Sequence, residues 1–339
     1  MSNLRDRLRR IQEQKKNEAV CKTDKKNKEI KTDELYIPAL TEIGWQFCGY
    51  NVLKKTVSVP LLIKIKKNFP EDLGIIIPDF SGKKLPVKED LLFFDLETTG
   101  LSGGAGTIAF LVAFGKISST GKLYVTQYLL LDYPGENDFL ENVLNELKAE
   151  NKVIVTYNGK CFDSQIIKTR CLMNRIKPPE YRHADLLHPA RRLWKNLIQD
   201  CSQGSIERQI LNINRIDDIP GSLAPEIWFE FLKTGKTERL IGICEHNVSD
   251  IYGLASILSV MISIAENLFN TDNYDYDLMR LARTVYSYAY EQMKIYNYKK
   301  PLELIKKGIE VLEPDSYWRT KLKRRKTRLE KLINQNNSN

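Results

Sequence analysis

The chain alternates between short apolar runs and polar stretches in an order that predicts strands first and helices afterwards. One apolar run begins at Leu91 and ends in acidic residues, and two more runs follow at residues 108–114 and 123–131. Apolar runs of this length, bounded by glycine and polar residues, are typical of buried strands. The spacing then predicts a helix at 136–149, a strand at 152–156 and a helix at 162–175. This order predicts an α/β domain with one central sheet.

Two later helices are also predicted. Pro225 and Gly235 bracket a helix at 226–233 in the proline-first, glycine-last order of helix ends. Apolar residues at helical spacing, among them Ile251 and Leu254, predict a longer helix across 241–264. Prolines and short alternating runs indicate a small irregular segment before the sheet. The predicted division is a basic N-terminal arm at 1–34, a lead-in segment at 35–88, an α/β domain at 89–268 and a helical tail at 274–335.

Composition narrows the class of protein. The 339 residues are 42% hydrophobic, which is ample for a packed core. We found no uninterrupted apolar run of membrane-spanning length and no signal-peptide core near Met1, so we expect a cytoplasmic protein without a membrane partner. The six cysteines form no Cys-x-x-Cys pair and there are only three histidines, which predicts reduced thiols and no structural zinc.

The charge distribution indicates an anionic partner. The formal net charge is +9, and basic residues concentrate in the N-terminal arm and around residues 321–328. Clusters of lysine and arginine bind phosphate backbones through counterion release. The arm therefore has two interpretations: a basic helix that contacts nucleic acid, or a tail that only keeps the protein soluble.

Two carboxylates lie at the end of the first predicted strand. Asp95 and Glu97 project from the same face because side chains alternate along a strand, while Leu96 turns toward the core. Two like charges held so close raise each other's pKa unless a cation lies between them. Hard oxygen ligands favour Mg²⁺ or Mn²⁺ over zinc. The alternative is an ordinary solvated strand end.

A glycine-rich turn follows these carboxylates, at residues 102–106. It lacks the Gly-Lys-Ser/Thr ending of a nucleotide-binding P-loop, and no helical pattern comes after it. We therefore excluded a P-loop nucleotide hydrolase.

Two further acidic positions have candidate roles. Asp163 follows a Tyr-Asn-Gly turn at the start of a predicted helix, where it acts either in the site or merely as a helix cap. His246 and Asp250 are four residues apart and share one helix face. The unperturbed pKa of histidine suits a general base, although a lone histidine more often belongs to the core or the surface.

With these residues in place, the chain resembles the DEDD exonucleases of the ribonuclease H-like superfamily. Asp95, Glu97, Asp163 and Asp250 match the four acidic positions in order, and the resemblance covers roughly residues 91–265. The stretches at 183–194 and 217–221 further resemble the YprB group, whose members carry a tetratricopeptide-like helical tail. The implied fold is α/β, a ribonuclease H-like mixed sheet flanked by helices with a C-terminal helical extension.

The resemblance implies a 3′-5′ exonuclease that acts on single-stranded DNA or RNA. Its cofactors would be two divalent cations, Mg²⁺ or Mn²⁺, held by the four carboxylates, with His246 as general base. The residues implied to contact the nucleic acid are Thr98, Leu101, Asn158, Phe162, Arg191 and Arg192. The C-terminal helices would extend the nucleic-acid track or bind a protein partner.

One spacing departs from the family. The histidine-type branch has its base five residues before the last aspartate, and the tyrosine-type branch has a tyrosine four before it. Here a histidine stands at the four-residue spacing, as His246 and Asp250 show. Two other functions stay open: a nucleic-acid-binding scaffold that keeps the nuclease fold with little turnover, and a structure-specific endonuclease.

Overall fold

The structure is a computed structural model that describes residues 37–61, 64–81, 85–100, 104, 106–148 and 151–337. The predicted N-terminal arm and Leu101 lie outside the described residues.

Seven strands and eleven helices make up the described regular structure, apart from four short 3₁₀ turns. The strands are β1 (Gln46–Gly49), β2 (Val52–Val59), β3 (Leu91–Thr98), β4 (Ala109–Ile117), β5 (Leu123–Leu130), β6 (Val153–Thr156) and β7 (Arg182–Asp185). The helices are α1 (Pro38–Glu42), α2 (Leu73–Ile76), α3 (Glu136–Leu147), α4 (Asp163–Met173), α5 (Leu187–Trp194), α6 (Gln203–Gln209), α7 (Ala224–Thr234), α8 (Glu238–Glu266), α9 (Leu278–Lys294), α10 (Lys299–Val311) and α11 (Tyr317–Asn337).

All seven strands form one mixed sheet in the order β1-β2-β5-β4-β3-β6-β7. Neighbours from β1 to β3 pair antiparallel, whereas β3, β6 and β7 pair parallel. The predicted mixed α/β fold is therefore confirmed. The lead-in segment adds β1 and β2 to this sheet, since β2 pairs along its whole length with β5.

Core residues cover both faces of the sheet. Leu91 and Phe93 face a layer made by α8 and the C-terminal helices. Leu92 and Phe94 face the other layer, where α3, α4 and α7 pack and where the Phe94 ring stacks on Phe114 at 5.3 Å between centroids. Because β3 is buried on both faces, its continuous apolar run was the strongest strand signal in the sequence.

The long helix α8 lies across the first of these layers. One 18-residue stretch of it has a mean hydropathy of 1.7, so by length and composition the helix is able to cross a membrane. Of that stretch 72% is buried inside the protein, as in the core helix of a soluble domain. The sequence shows no uninterrupted apolar run here, because Asp250 and other polar residues interrupt the apolar positions.

Helix ends agree with the predicted signals to within a few residues. The helix predicted at 226–233 is α7, and Gly235 ends it at a φ of +74°. The helix predicted at 136–149 is α3, and the one at 162–175 is α4. Left-handed backbone at a helix end favours glycine, which explains the signal at Gly235.

The C-terminal region is helical, as predicted, and packs on the domain through α9. Asp277 caps α9 by accepting a hydrogen bond from the backbone N–H of Arg280, and it accepts another from Asn196. Trp194 at the end of α5 donates to the backbone of Asp275. These contacts fix α9 against α5. The tetratricopeptide-like character of this region stays a prediction.

Gly115 in β4 allows α8 to lie close to the sheet. A Cβ at this position would lie 2.5 Å from Ile251 Cγ2 and 3.1 Å from Phe93 Cβ. We expect Gly115→Ala to lower the free energy of unfolding by about 1–3 kcal/mol, the usual cost of overpacking a core. Urea denaturation measures this change. Gly106→Ala is the matched control, since a Cβ there meets nothing within 4 Å, and an equal loss in both variants would contradict the account.

Candidate active site

The first two acidic residues lie at the carboxyl end of β3. Asp95 is partly buried and Glu97 is buried, while Leu96 packs in the opposite layer. The register between β3 and β4 shifts between Glu97 and Thr98, which marks a β-bulge. Bulges re-aim side chains and are common next to active sites.

Asp163 reaches the same place from α4. It is the first residue of that helix and is buried, and the N-cap residue is Phe162 with no side-chain cap. Asp163 is therefore not the N-cap residue of α4, which was one of its two interpretations from the sequence. Burial raises the pKa of Asp163 to about 7, although hydrogen bonds with the backbone at Asp163 and Leu96 oppose the shift. The contact with Leu96 places this carboxyl group beside β3.

Asp250 and His246 complete the cluster from α8. His246 Nε2 lies 3.1 Å from Asp250 Oδ2, as their four-residue spacing predicted. Glu97, His246 and Asp250 each offer one ligand atom, and these atoms all lie within 4.8 Å of one another.

The carboxylates of the cluster perturb one another strongly. The pKa of Asp95 is raised well above its usual value, first by burial and then by the charges of Asp250, Asp163 and Glu97. Burial also raises the pKa of Glu97 to about 8, despite the opposing charge of His246. All four acidic residues thus lie close enough to share one electrostatic environment.

Asp250 differs from the other three acidic residues because two positively charged side chains, those of Arg215 and His246, pair with its carboxylate. Arg215 Nη2 lies 2.7 Å from Oδ1, and His246 contacts Oδ2. Burial would raise the pKa of Asp250, but the hydrogen bonds and charges of His246 and Arg215 hold it below its usual value.

Arg215 holds a network that was not predicted from the sequence. Its guanidinium also contacts Glu207 Oε2 at 2.7 Å and Asp218 Oδ2 at 3.2 Å. The Glu207 side chain is only 2% exposed and lies against Gly253 of α8. Gln203 donates to Glu207 and to the backbone carbonyl of Asp250. The network therefore ties α6 and the loop after it to the helix that carries Asp250.

His246 is held between two carboxylates. Its Nδ1 lies 2.8 Å from Asp218 Oδ1, and its Nε2 faces Asp250. Burial would lower the pKa of His246, but the hydrogen bonds and charges of these aspartates raise it to about 9. An imidazole with this pKa carries its proton at neutral pH and is a poor base. Its role as general base stays a prediction.

Asp95 is positioned by a buried amide chain. Asn247 Nδ2 donates to Asp95 Oδ2 at 2.7 Å, and Asn247 Oδ1 accepts from Gln127 Nε2 at 2.9 Å. Gln127 also donates to the backbone carbonyl of Cys244. This chain runs from β5 through α8 to β3 and fixes the Asp95 carboxylate.

The YprB-like stretches border the cluster. In the stretch at 217–221, Asp218 binds His246, and a Cβ at Gly221 would lie 2.9 Å from His246 Nε2 and 3.7 Å from Glu97 Oε1. In the stretch at 183–194, Asp185 accepts hydrogen bonds from the backbone N–H groups of Asn158 and Lys160. Each stretch therefore shapes one wall of the site.

The predicted nucleic-acid contacts have different surroundings. Asn158 is exposed in the turn before α4, with a φ of +65°, and Phe162 is half-buried against the core. The Thr98 hydroxyl donates to the backbone carbonyl of Gly100. Arg191 is exposed, whereas Arg192 is half-buried and donates to the backbone carbonyl of Ile76. Of this set, the two arginines belong to α5 rather than to the elements that carry the four acidic residues.

The donor set suits a hard divalent cation. Asp95, Glu97 and Asp163 are acidic groups whose charged forms are disfavoured by burial and by one another. A cation between them would reverse that preference. Oxygen-rich sites of this kind favour Mg²⁺ or Mn²⁺.

A family model of known proteins matches the central part of the chain. A family model described as "RNase_H superfamily" matches residues 92–262, which is about half of the chain. The chain belongs to the RNase_H superfamily. Nucleases of this superfamily use divalent metals, and in this chain Glu97, His246 and Asp250 form a group that could hold a metal ion.

Two individual similarities accompany the superfamily match. The "Uncharacterized protein YprB" of Bacillus subtilis (strain 168) is 41% identical over 173 residues, which span 50% of this chain and 41% of that protein. The chain thus matches less than half the length of this relative. The family B DNA polymerase from the archaeon Pyrobaculum calidifontis aligns with a TM-score of 0.43 and 11% identity, over 75% of this chain and 47% of that one. The polymerase similarity is too low to inform function.

The residues that brace this RNase_H superfamily site were not predicted from the sequence. Asn247 lies next to His246 and three residues before Asp250, so its helical position alone placed it on the site side of α8. Arg215 and Glu207 gave no comparable signal, because they lie outside any motif and meet only in the folded chain.

The raised pKa values predict that stability without metal falls as pH rises. Glu97, Asp163 and His246, with pKa values of about 8, 7 and 9, keep protons in the folded state that the unfolded chain has released. The stability that each group contributes is fully present below its pKa in the unfolded chain, and it is lost as the pH rises through its pKa in the folded protein. Between pH 7 and pH 9 we expect the chelator-treated protein to lose on the order of 2 kcal/mol, and its Tm to fall by about 4–8 °C.

Thermal unfolding at a series of pH values tests this expectation. Glu97→Gln removes one of the three groups, so its Tm should fall less steeply over the same range. A Tm of the chelator-treated protein that stays constant or rises between pH 7 and pH 9 would contradict the raised pKa values.

Proposed function

We propose that this protein is a metal-dependent 3′-5′ exonuclease that hydrolyses phosphodiester bonds at single-stranded ends of DNA or RNA. The observation that carries the proposal is the convergence of four carboxylates from β3, α4 and α8, where burial and then the charges of Asp250, Asp163 and Glu97 raise the pKa of Asp95. Paired carboxylates of this kind hold the metal ions of phosphoryl-transfer enzymes.

In this proposal the four carboxylates hold two divalent cations. When bound, Mg²⁺ or Mn²⁺ would supply an activated water and would offset the charge on the scissile phosphate and the leaving oxygen. Asp95 and Glu97 reach the cations from β3, Asp163 from α4 and Asp250 from α8. Asn247 holds Asp95 in place through its amide.

Arg215 and His246 set the charge around Asp250 in this proposal. Both pair with its carboxylate, so Asp250 stays ionised and ready to bind a cation. His246 also places a positive charge beside Glu97. As a proton acceptor, His246 requires its pKa to fall, which a cation bound nearby would favour.

The bound strand end lies along the walls of the cluster in this proposal. Since the Thr98 hydroxyl is already bonded to Gly100, Thr98 would hold the terminal nucleotide through its backbone. Asn158 is exposed in the turn before α4, and Phe162 offers a partly exposed ring for a base. Leu101 keeps its predicted role as an apolar contact to the terminal nucleotide.

The proposed activity is tested with 5′-labelled single-stranded DNA and RNA, supplied with Mg²⁺, Mn²⁺ or chelator. We expect the substrates to shorten from the 3′ end when metal is present and to stay intact in chelator. We expect Asp95→Asn to lower the rate about a thousandfold, because bound metals supply several kcal/mol of transition-state stabilisation. Glu245→Gln is the matched control, because it removes an exposed carboxylate from the same helix.

Circular substrates separate the competing functions. An exonuclease needs a free end and leaves a single-stranded circle intact. Cutting of the circle would therefore contradict an exonuclease and indicate an endonuclease. If neither substrate shortens with any metal, a nucleic-acid-binding scaffold of the same fold replaces it.

A further inference from the structure

A large groove lies between the lead-in segment and the C-terminal helices. Its volume is about 930 Å³, and residues 74–81, α5, α9 and α11 form its walls. The side chains with evident binding chemistry are Arg192, Arg280, Arg283, Arg325, Tyr286 and Tyr290. None of them belongs to the acidic cluster.

The groove is strongly basic. Arg192 and Arg280 donate to the backbone carbonyls of Ile76 and Arg191, which are neutral acceptors, and the nearby Asp79 carboxylate offsets part of the Arg192 charge. Arg283 is exposed. Among the described lining residues the acidic one is Glu291, and it pairs with Lys294 at 2.8 Å. A groove with this charge attracts an anion.

Aromatic rings alternate with the arginines along α9. Tyr286 and Tyr290 are one turn apart on that helix, and Tyr290 is 47% exposed. The Arg325 guanidinium lies 4.2 Å from the centre of the Tyr286 ring and is itself only 8% exposed, so it holds α11 against α9. Guanidinium groups beside exposed rings are the combination that binds single strands, through phosphate contacts and base stacking.

An ion pair connects the groove to the acidic cluster. Asp79 lies between the groove residues Pro78 and Ser81, and its carboxylate is 2.6 Å from Lys160 Nζ. Lys160 belongs to the turn that ends three residues later at Asp163. The ion pair therefore links the segment that lines the groove to the turn that leads into Asp163.

We propose that this groove binds the single-stranded part of the nucleic-acid substrate, upstream of the end that enters the acidic cluster. The inference rests on the proposed nuclease function for the direction of the strand. The groove binds phosphates through Arg192, Arg280 and Arg283. A base stacks on Tyr290 when the exposed Lys294 side chain, whose Nζ lies 4.7 Å from the centre of that ring, moves aside; Arg325 lies 5.3 Å from the same centre. The C-terminal helices are thus part of the substrate track.

Binding without turnover tests the groove. Fluorescence anisotropy with labelled oligothymidylates of 20 and 3 nucleotides, in chelator, compares the wild type with the double variant Arg283→Glu, Tyr290→Ala. We expect the variant to bind the 20-mer at least about tenfold more weakly, because it can neither stack a base on Tyr290 nor bind a phosphate through Arg283. The slope of log affinity against log salt should decrease by about 0.7 for each phosphate that the variant no longer neutralises. In chelator the acidic cluster repels phosphates, and the 3-mer has few phosphates for the groove to bind, so it should bind neither protein measurably.

Two controls make the result specific. Lys233→Glu reverses an exposed charge on α7, in the opposite layer, and should leave 20-mer binding unchanged. Arg283→Lys keeps the charge and should keep the salt slope. Unchanged 20-mer binding in the double variant, or an equal loss in the Lys233→Glu variant, would contradict binding of the strand in this groove. The binding assay contains no metal and measures no turnover. If the protein proves to have no nuclease activity, the measured binding to the groove therefore still stands.

Discussion

Repulsion among four carboxylates, confined at one end of a buried strand, is the constraint around which the polar structure is arranged. Asp250 is the member whose charge is offset, by Arg215 and His246, and its pKa is low. Asp95, Glu97 and Asp163 instead have raised pKa values. Burial makes this arrangement costly in the absence of a cation, because each charged form is disfavoured. In the proposed metal site the same cost would become binding free energy when a divalent ion enters, so stability and metal affinity would be linked.

The fold holds the carboxylates at short range by rigid means. β3 is central in the sheet, and Gly115 on its neighbour lets α8 approach closely through Ile251. The amide chain from Gln127 through Asn247 then fixes Asp95, and the Arg215 network fixes Asp250 against α6. Gln127 and Asn247 are buried and the pair of Arg215 with Asp250 is partly buried, so these hydrogen bonds are costly to break. The C-terminal helices pack on the same layer as α8.

Local sequence patterns were sufficient to predict several elements of the fold and part of the acidic cluster. The apolar run before Asp95 predicted β3, and helical spacing predicted that His246 and Asp250 meet. The sequence did not predict that β2 pairs with β5, because alternation predicts a strand but not its partner. Nor did the sequence predict the ion pairs of Arg215, because nothing in the sequence around a loop arginine identifies the buried Glu207 with which it pairs. The base role of His246 was inferred from the unperturbed pKa, whereas the folded site surrounds the imidazole with Asp218 and Asp250 and raises that pKa to about 9.

Proton release on metal binding tests the central electrostatic claim most directly. Calorimetric titration with Mn²⁺ in two buffers of different ionisation enthalpy counts the protons released per chain. The raised pKa values predict release of about one to two protons at pH 6.5, and fewer as the pH approaches 9, because the carboxyl groups must ionise to bind the ion. Release should decrease in Glu97→Gln. Binding of Mn²⁺ with no proton release at pH 6.5, or no binding at all, would contradict the account.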